Sequence, residues 1–476
     1  MAERITPRSE DFAKWYTDII NHAKLADYSP VRGCMVLRPN GYGIWEVVQR
    51  ELDRRFKETG HKNAYFPMLI PESLLKKEKD HVAGFAPECA VVTHGGGKKL
   101  DEPLIVRPTS ETIINAMYSK WISSYRDLPV LINQWANVVR WEMRTKPFLR
   151  TLEFLWQEGH TCHETEAEAK EEQLKMLKVY QDFAETIFAM PVIPGMKSES
   201  EKFAGAKDTM CIEAMMQDKK ALQAGTSHFF GTSFAEAFDI KFQDRTGKQQ
   251  FVHQTSWGVS TRLIGALIMT HSDDQGLVLP PKAAPIQIVI VPIIQKKADN
   301  TAVLDVSRKI FSELRAAGWL VQLDDREGQS AGYKFNEWEI QGVPLRVEIG
   351  PRDLAENILV FARRDGVKTR VKIEEAVGLV AATMDEFQKV LFEKAKAFLA
   401  TNQHEENDYA TFQTRLESEA GFYRMHWCTS AACEAKVKED TKATIRCIPF
   451  DQKKESGKCI ACGQPSEGRV IFARNY

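Results

Sequence analysis

Charged and aromatic side chains suited to nucleotide chemistry lie close together between residues 138 and 158. Arg140 and Glu142 are two positions apart in a strand-like segment, where alternation places both on one face. After a loop of seven residues come Arg150, Phe154 and Glu158, at a spacing of four. Arginine forks match phosphate oxygens, a carboxylate accepts from an exocyclic amine, and an aromatic face stacks on a purine. The pattern predicts a nucleotide site, although Arg140 and Glu142 alone would fit a surface salt bridge.

A further arginine suited to bind phosphate is Arg262, in the run Ser256-Trp-Gly-Val-Ser-Thr-Arg. It stands at the start of an apolar helix, predicted over Leu263 to Met269. Taken alone, an arginine in this position is more often the ion-pair partner of a buried helix than a substrate ligand. Together with the pattern around Arg140, it is predicted to be a phosphate ligand.

The cysteines near the end of the chain have the spacing of a metal site. Cys428-x4-Cys433 and Cys459-x2-Cys462 form two pairs that are twenty-five residues apart. Four thiolates in this arrangement are typical of structural, tetrahedral Zn²⁺. Cys447 lies between the pairs and is predicted to be a small buried side chain. The alternative is a set of unligated thiols.

The segment from Arg140 to Glu158 resembles the second signature motif of class II aminoacyl-tRNA synthetases. Gly60 to Pro67 is similar to their first motif, which lies at the dimer interface in that family, and the run ending at Arg262 is similar to their third. The third motif departs from its glycine-rich form, since only Gly258 and Gly265 remain. The resemblance implies activation of an amino acid by ATP, and a homodimer.

Within this class, the whole chain is similar to the prolyl-tRNA synthetases of archaeal and eukaryotic type. Five segments carry the resemblance: Arg107-Pro-Thr-Ser-Glu111, Arg140-Trp-Glu142, Phe154-Leu-Trp-Gln-Glu-Gly-His160, Gln223-Ala-Gly-Thr-Ser-His228 and Gly350-Pro-Arg-Asp353. The resemblance implies a proline–tRNA ligase. Such an enzyme forms prolyl-adenylate from proline and ATP, and transfers proline to the 3′ end of tRNA(Pro).

The resemblance also implies roles for individual residues. Arg140 and Arg262 are the expected catalytic residues, and Mg²⁺ is expected to bridge the phosphates of ATP. The expected ATP-binding residues are Arg140, Glu142, Arg150, Thr151, Phe154, Gln223, Thr226, Ser260 and Arg262. The expected proline-binding residues are Thr109, Glu111, Arg140 and His228.

Two proline-binding candidates have simpler explanations. The run from Thr109 to Glu111 precedes a helical pattern and would also serve as a helix cap. His228 would also fit a core histidine with satisfied hydrogen bonds. For binding, the hydroxyl of Thr109 and the carboxylate of Glu111 are acceptors that suit the two N–H donors of the proline ammonium.

The arrangement of predicted elements indicates an α+β fold with three units. Residues 1–283 are predicted to form a class II catalytic domain, with an antiparallel sheet flanked by helices. The proline-rich run Leu279 to Pro285 marks its end, because such runs commonly link domains. Residues 284–403 are predicted to form an α/β anticodon-binding domain, and residues 404–476 a small zinc-binding domain. Elements predicted in the first unit include a helix over Gly43–Thr59 and strands over Asn63–Ile70, Val130–Val139 and Gln249–Thr255.

Four residues of the middle unit are candidates for contacts with unstacked anticodon bases: Phe335, Glu339, Arg346 and Arg352. Alternatively, Glu339 and Arg346 form a solvated ion pair. Only about ninety residues separate Glu158 from His253. We therefore expect no inserted editing domain between the second and third motifs.

The 476-residue composition limits the function classes. Lys and Arg total 64 against 65 Asp and Glu, so no overall basic field indicates a nucleic-acid binder, and RNA contacts require local patches. A charged N-terminus and short apolar runs predict a cytoplasmic protein without a membrane segment. Two other functions are a synthetase for threonine, serine or histidine, and a regulatory protein with an inactive synthetase fold. The latter would be expected to lose Arg140, Glu142 or Arg262.

Overall fold

The computed structural model of the chain describes residues 5–75, 89–295 and 299–476. No helix within these ranges is long and apolar enough to cross a membrane.

The first part of the chain alternates helices with short strands and ends in one long strand. The helices are α1 Phe12–His22, α2 Pro39–Glu58, α3 Glu72–Leu75 and α4 Glu111–Trp121. The strands are β1 Ala26–Tyr28, β2 Met35–Leu37, β3 Lys62–Asn63, β4 Leu69–Pro71, β5 Ala90–Gly95, β6 Lys98–Val106 and β7 Val130–Val139. The N-terminus of α1 is capped by Asp11, whose side chain accepts from the backbone N–H of Lys14.

Longer strands follow, on both sides of one long helix. The strands are β8 Glu153–His163, β9 Val192–Met196, β10 Asp208–Met215, β11 Ala221–Gly231, β12 Lys241–Gln243, β13 Gln249–Phe251 and β14 His253–Ser260. The helices are α5 Glu166–Thr186, α6 Ser233–Phe238 and α7 Arg262–His271. A capping box between Thr165 and Glu168 begins α5.

These strands build an antiparallel sheet in the order β9-β10-β11-β14-β8-β7, with β3 added in parallel beside β7. One face packs on α2 and α5, whose apolar stripes include Phe56 and Tyr180. At Gly159 on β8, a Cβ atom would lie 2.1 Å from the ring of Trp257 on the neighbouring strand. Only glycine therefore lets β8 and β14 pair around this tryptophan.

The middle of the chain forms a separate mixed sheet. Its elements are β15 Ile288–Pro292, α8 Thr301–Ala316, β16 Val321–Leu323, α9 Ala331–Ile340, β17 Leu345–Ile349, α10 Pro351–Ala355, β18 Ile358–Arg363, β19 Lys368–Lys372 and α11 Ala376–Thr401. The strand order is β16-β15-β17-β18-β19, with parallel pairs around β15 and antiparallel pairs beyond β17. This is the α/β unit that the sequence predicts.

The last part of the chain extends the first sheet. Its elements are β20 Gln403–Glu405, α12 Tyr409–Ser418, β21 Phe422–His426, α13 Ala431–Thr441, β22 Thr444–Pro449, β23 Gly457–Lys458, β24 Pro465–Ser466 and β25 Arg469–Ala473. Strand β22 pairs with β9, and a Cβ at Gly195 would lie 2.5 Å from the carbonyl of Ile448. The C-terminal strands thus continue the sheet that began with β3, in one sheet of eleven strands.

Several predicted elements match the structure and three strand predictions are wrong in detail. The strand over Val130–Val139 is confirmed, but it does not continue to Glu142, because its ladder with β8 ends at Val139, opposite Glu153. The predicted strand over Asn63–Ile70 is two short strands in different sheets, β3 and β4. The predicted strand over Gln249–Thr255 is likewise divided between β13 and β14.

Candidate active site

Twelve side chains selected from the sequence border a single cavity of about 510 Å³. Its floor is formed by β8, β10, β11 and β14, and the loop after β7 and the start of α7 close its sides. The twelve residues are Thr109, Glu111, Arg140, Glu142, Arg150, Thr151, Phe154, Gln223, Thr226, His228, Ser260 and Arg262. Residues far apart in the chain therefore border the same cavity.

Alternation along β8 separates the cavity from the core. Phe154, Trp156, Glu158 and His160 line the cavity. Between them, Gln157 faces the helix side and accepts a hydrogen bond of 2.6 Å from the hydroxyl of Tyr180 on α5. Because successive side chains of a strand point to opposite faces, pairing of β8 with β7 and β14 fixes which residues face the cavity.

Three guanidinium groups, from Arg140, Arg150 and Arg262, make one end of the cavity electropositive. Burial lowers the pKa of Arg262 to about 10, and the positive charges of Arg150 and Arg140 add to this effect. Within the described residues, no carboxylate oxygen lies within 4.0 Å of the Arg262 guanidinium. The ion-pair alternative for Arg262 is therefore wrong, and the charge arrangement suits an anion such as a polyphosphate.

The loop between β7 and β8 holds the Arg262 side chain. Arg262 Nε donates to the carbonyl of Leu149 over 3.2 Å. A Cβ at Gly265, one turn into α7, would lie 2.4 Å from Leu149 Cδ2. Gly265, one of the two glycines left in the third motif, therefore lets this loop pack on the helix.

Arg140 and Glu142 follow the end of β7 and still reach the cavity. Arg140 Nε donates to the carbonyl of Pro108 over 3.0 Å, and its guanidinium lies 5.5 Å from the ring centroids of both Phe154 and Trp156. Glu142 accepts from the backbone N–H of Arg144 at 2.9 Å. It also lies 3.7 Å from Arg150 in an exposed pair.

Another part of the cavity lining combines a carboxylate, Glu111, with a neutral imidazole, His228. Thr109 and Glu111 are buried, and the threonine hydroxyl donates to Glu111 Oε2. Burial lowers the pKa of His228 to about 4, so its ring is uncharged near neutral pH. The ring of Phe203 packs against His228 with centroids 4.5 Å apart. A buried carboxylate and an uncharged, ring-packed imidazole thus lie close to each other in the cavity lining.

Ser110 contradicts the helix-cap explanation for the Thr-Ser-Glu run. It occupies the position before α4, but its side chain makes no cap hydrogen bond. Its hydroxyl instead donates to Glu158, which also accepts from Gln134 Nε2 at 2.7 Å and lies 2.9 Å from His160 Nε2. Burial opposes protonation of His160, but the hydrogen bond and charge of Glu158 raise its pKa overall. The run therefore belongs to a polar network beside the cavity.

The four anticodon candidates lie apart from the cavity, in the middle unit. Arg346 pairs with Glu348 at 2.8 Å, and its guanidinium lies 4.3 Å from the ring centroid of Phe335. Because the partner of Arg346 is Glu348, and its side chain is only 15% exposed, a solvated pair with Glu339 is contradicted. Glu339 is half-buried, and Arg352 is exposed.

The four predicted cysteine ligands meet at one point. The sulfur atoms of Cys428, Cys433, Cys459 and Cys462 all lie within 4.8 Å of one another, and those of Cys428 and Cys433 are 3.7 Å apart. Tetrahedral Zn²⁺ with Zn–S bonds of about 2.3 Å places its sulfurs about 3.8 Å apart, so the cluster fits this ion. Burial opposes ionisation of the Cys459 thiol, but backbone N–H groups around it lower its pKa to about 7. Cys447 is fully buried elsewhere, as predicted.

Several residues that line the cavity were not singled out from the sequence, among them Glu201, Phe203 and Thr209. Glu201 and Phe203 belong to an irregular connection between β9 and β10. The only local signal is a charged run that ends in Phe-Ala-Gly-Ala, and no periodicity assigns such a segment to a wall of the cavity.

Comparisons with known proteins agree with this architecture. Residues 94–271 match the tRNA synthetase class II core domain (G, H, P, S and T), residues 287–383 the anticodon binding domain, and residues 409–476 the prolyl-tRNA synthetase C-terminal family. The chain is 58% identical to the proline–tRNA ligase of Chloroherpeton thalassium, over the full length of both chains. This chain belongs to the proline–tRNA ligase family.

Other members of the family are similarly close. The proline–tRNA ligase of Chlorobium phaeobacteroides strain BS1 is 57% identical over the full length of both chains. Proline–tRNA ligase 2 of Clostridioides difficile is 54% identical and is covered over 98% of its length. Membership confirms the predicted class II fold, with its catalytic core, anticodon-binding domain and C-terminal domain.

Proposed function

We infer that this chain is a proline–tRNA ligase, which activates proline with ATP and transfers it to the 3′ end of tRNA(Pro). The observation that carries this inference is the cavity, which is lined by three arginines together with Glu111 and His228. The test is aminoacylation of a tRNA(Pro) transcript with labelled proline. Charging that requires both ATP and proline supports the inference, whereas absence of charging by the folded protein refutes it.

The electropositive end of the cavity is the proposed site for ATP. Arg140 would contact the α-phosphate, and Arg150 and Arg262 the distal phosphates, with no side-chain nucleophile needed. Catalysis would consist of positioning the proline carboxylate and neutralising charge that grows on the phosphate oxygens. Glu142, Thr151 and Phe154 would contact the adenine region. Gln223, Thr226 and Ser260 would complete the ATP contacts.

Mg²⁺ is proposed to bind with ATP. The ion takes oxygen ligands, commonly one or two carboxylates together with phosphates. The carboxylates of Glu142 and Glu201 border the cavity, so its donor set fits such an ion. When bound, the ion would neutralise phosphate charge. Exchange that persists unchanged in excess EDTA would refute this proposal.

The part of the cavity around Glu111 and His228 is the proposed site for proline. Glu111 and Thr109 would accept the two N–H donors of the proline ammonium, and Arg140 would hold its carboxylate. His228 and Phe203 would face the apolar ring. Amino acids that lack a ring would then bind with less apolar contact, which favours proline.

The middle unit, proposed as residues 284–403, would bind the anticodon of tRNA. Phe335 and Arg352 remain candidates for stacking and hydrogen bonds with bases, together with Glu339. Arg346 already packs on Phe335 and pairs with Glu348, so it would support the orientation of Phe335. Substitution of Phe335 with alanine should weaken aminoacylation of tRNA and leave adenylate formation intact. Equal loss of both activities would contradict this assignment.

The C-terminal unit, proposed as residues 404–476, would hold one structural zinc ion. We expect atomic emission spectrometry to find one zinc per chain, and Cys459→Ser to lower this content and the thermal stability, because metal affinity contributes to folding. Cys34→Ser, outside the cluster, is the matched control and should retain zinc. Zinc content below the detection limit in both the wild type and the control would contradict the proposal.

A homodimer is proposed from the exposed apolar surface near the first motif. Tyr65, Met68, Leu69, Val91 and Trp121 are large hydrophobic residues with 38% or more of their surface exposed. Grouped exposed apolar residues of this kind mark interaction surfaces. Light scattering should give twice the mass of one 54.1 kDa chain. Met68→Asp should shift the measured mass toward that of one chain. Leu320→Asp, in the middle unit, is the control and should leave the mass unchanged. A monomeric wild type would refute the dimer.

The chain is further proposed to be of the archaeal and eukaryotic type and to act in the cytoplasm. Residues 164–252, all described, form α5, α6 and β9 to β13 of the catalytic unit, which leaves no room for an inserted editing domain. This arrangement and the cysteine cluster support the archaeal and eukaryotic type. The relatives named above are bacterial. Hydrolysis of alanyl-tRNA(Pro) by the isolated protein would contradict the absence of editing. The free thiols fit a reducing compartment.

A further inference from the structure

The segment of residues 197–203, called the wall segment here, contributes Glu201 and Phe203 to the lining of the cavity. Phe203 packs on the His228 ring, and its backbone N–H donates to Thr209 Oγ1 over 3.1 Å. The same hydroxyl lies 2.9 Å from His228 Nδ1. The position of this wall segment therefore determines both the place of the His228 ring and the width of the pocket around it.

The wall segment is not held by a strand ladder. It belongs to the irregular connection between β9 and β10, over residues 197–207. Loops without regular backbone hydrogen bonds depend on side-chain contacts for a fixed position. The contacts that hold this connection therefore affect the pocket.

The main contact comes from Glu434, more than 200 residues later in the chain. Ser198 Oγ donates to Glu434 Oε1 over 2.6 Å, and Ser200 Oγ donates to the other oxygen, Oε2. Glu434 is only 4% exposed, and its hydrogen bond with Ser198 is buried, whereas the one with the exposed Ser200 is partly buried. Hydrogen bonds to a buried carboxylate are stronger than those between neutral groups.

Two further contacts join the same elements. The ammonium group of Lys197 donates to the carbonyl of Arg446 on β22 over 2.9 Å. At the rim, Lys438 Nζ on α13 lies 3.5 Å from Glu201, which lines the cavity. The wall segment is thus connected to the C-terminal unit along its length.

We propose that Glu434 is a positioning residue for the amino-acid pocket, acting through Ser198 and Ser200 on Phe203 and His228. Glu434 follows Cys433 directly at the start of α13, so the cysteine cluster and the wall segment are fixed by adjacent residues. The C-terminal unit then contributes to recognition of the amino acid without lining the cavity. This proposal rests on the proposed function of that part of the cavity as the proline site.

The proposal is tested by the KM values for proline and ATP in pyrophosphate exchange with the Glu434→Ala variant. We expect the KM for proline to rise roughly tenfold, as expected from losing hydrogen bonds to a charged group, and the KM for ATP to stay near the wild-type value. Glu439→Ala, an exposed glutamate on the same helix, is the matched control and should leave both values unchanged. A purely structural role would instead reduce kcat without separating the two KM values, and that result would overturn the proposal.

A second variant keeps the test valid if Glu434→Ala folds poorly. Ser198→Ala combined with Ser200→Ala removes the same hydrogen bonds from the other side, and should raise the KM for proline by a similar factor. Combining all three substitutions should add little further, because the groups act as one unit. The proposal would be overturned if the triple variant raised the KM for proline by the product of the two separate factors. It would also be overturned if the serine variant left this KM unchanged. If wild-type exchange responds to another amino acid rather than to proline, the proposed function fails instead.

Discussion

Replacing Arg262 with glutamine is expected to lower the rate of proline-dependent pyrophosphate exchange by roughly 10²- to 10³-fold. The guanidinium is buried at the electropositive end of the cavity, with no carboxylate partner among the described residues. Its charge is therefore available to a phosphate. Glutamine retains a hydrogen-bond donor but loses the charge and the fork. The measurement is kcat/KM for ATP in the exchange reaction.

A matched control separates this effect from a general loss of arginine. Arg308 is 57% exposed on α8 and lies 3.8 Å from Asp305. Arg308→Gln should leave exchange unchanged, because exposed pairs contribute little. An Arg262→Gln variant that is folded and as active as this control would show that Arg262 does not contact ATP.

Replacing Glu213 with alanine is expected to lower the free energy of unfolding by about 3–5 kcal/mol. Glu213 Oε1 accepts from Lys197 Nζ at 2.8 Å and from Arg446 Nη2 at 3.0 Å, and all three side chains are at most 4% exposed. Burial opposes ionisation of Glu213, but the charges of Arg446 and Lys197 hold its pKa below the ordinary value. Without the carboxylate, two cations would remain buried and unpaired.

Chemical denaturation measures this loss, and an exposed glutamate provides the control. Glu58 pairs with Arg54 on the surface of α2, where both side chains are more than half exposed. Glu58→Ala should therefore have a much smaller effect than Glu213→Ala. Equal stability of the two variants would mean that the buried cluster between β10 and β22 does not stabilise the fold.

Local sequence patterns predicted a strand that begins and ends with apolar residues. The strand over Val130–Val139 was predicted because apolar residues mark both of its ends. Strand ends were less predictable: the strand-like pattern continues to Glu142, but the pairing with β8 ends at Val139, opposite Glu153. Asn63–Ile70 shows the same limit, because no local sequence pattern indicates that β3 and β4 belong to different sheets.

Residues of the site were predicted where they belong to short, dense patterns. Arg140, Arg150 and Phe154 form such a pattern, and the structure places all three at the cavity. Glu434 and Phe203 do not, because their importance arises from contacts across the fold. Ser198 and Glu434 are 236 positions apart, and no spacing rule relates them.

Amino-acid-dependent pyrophosphate exchange, measured with each of the twenty amino acids, tests the proposed ATP site and the proposed proline pocket together. Exchange that is strongest with proline is the expected result. Exchange that is strongest with threonine, serine or histidine would contradict the assignment of the pocket. A folded protein that exchanges with none of the twenty would contradict the catalytic function itself.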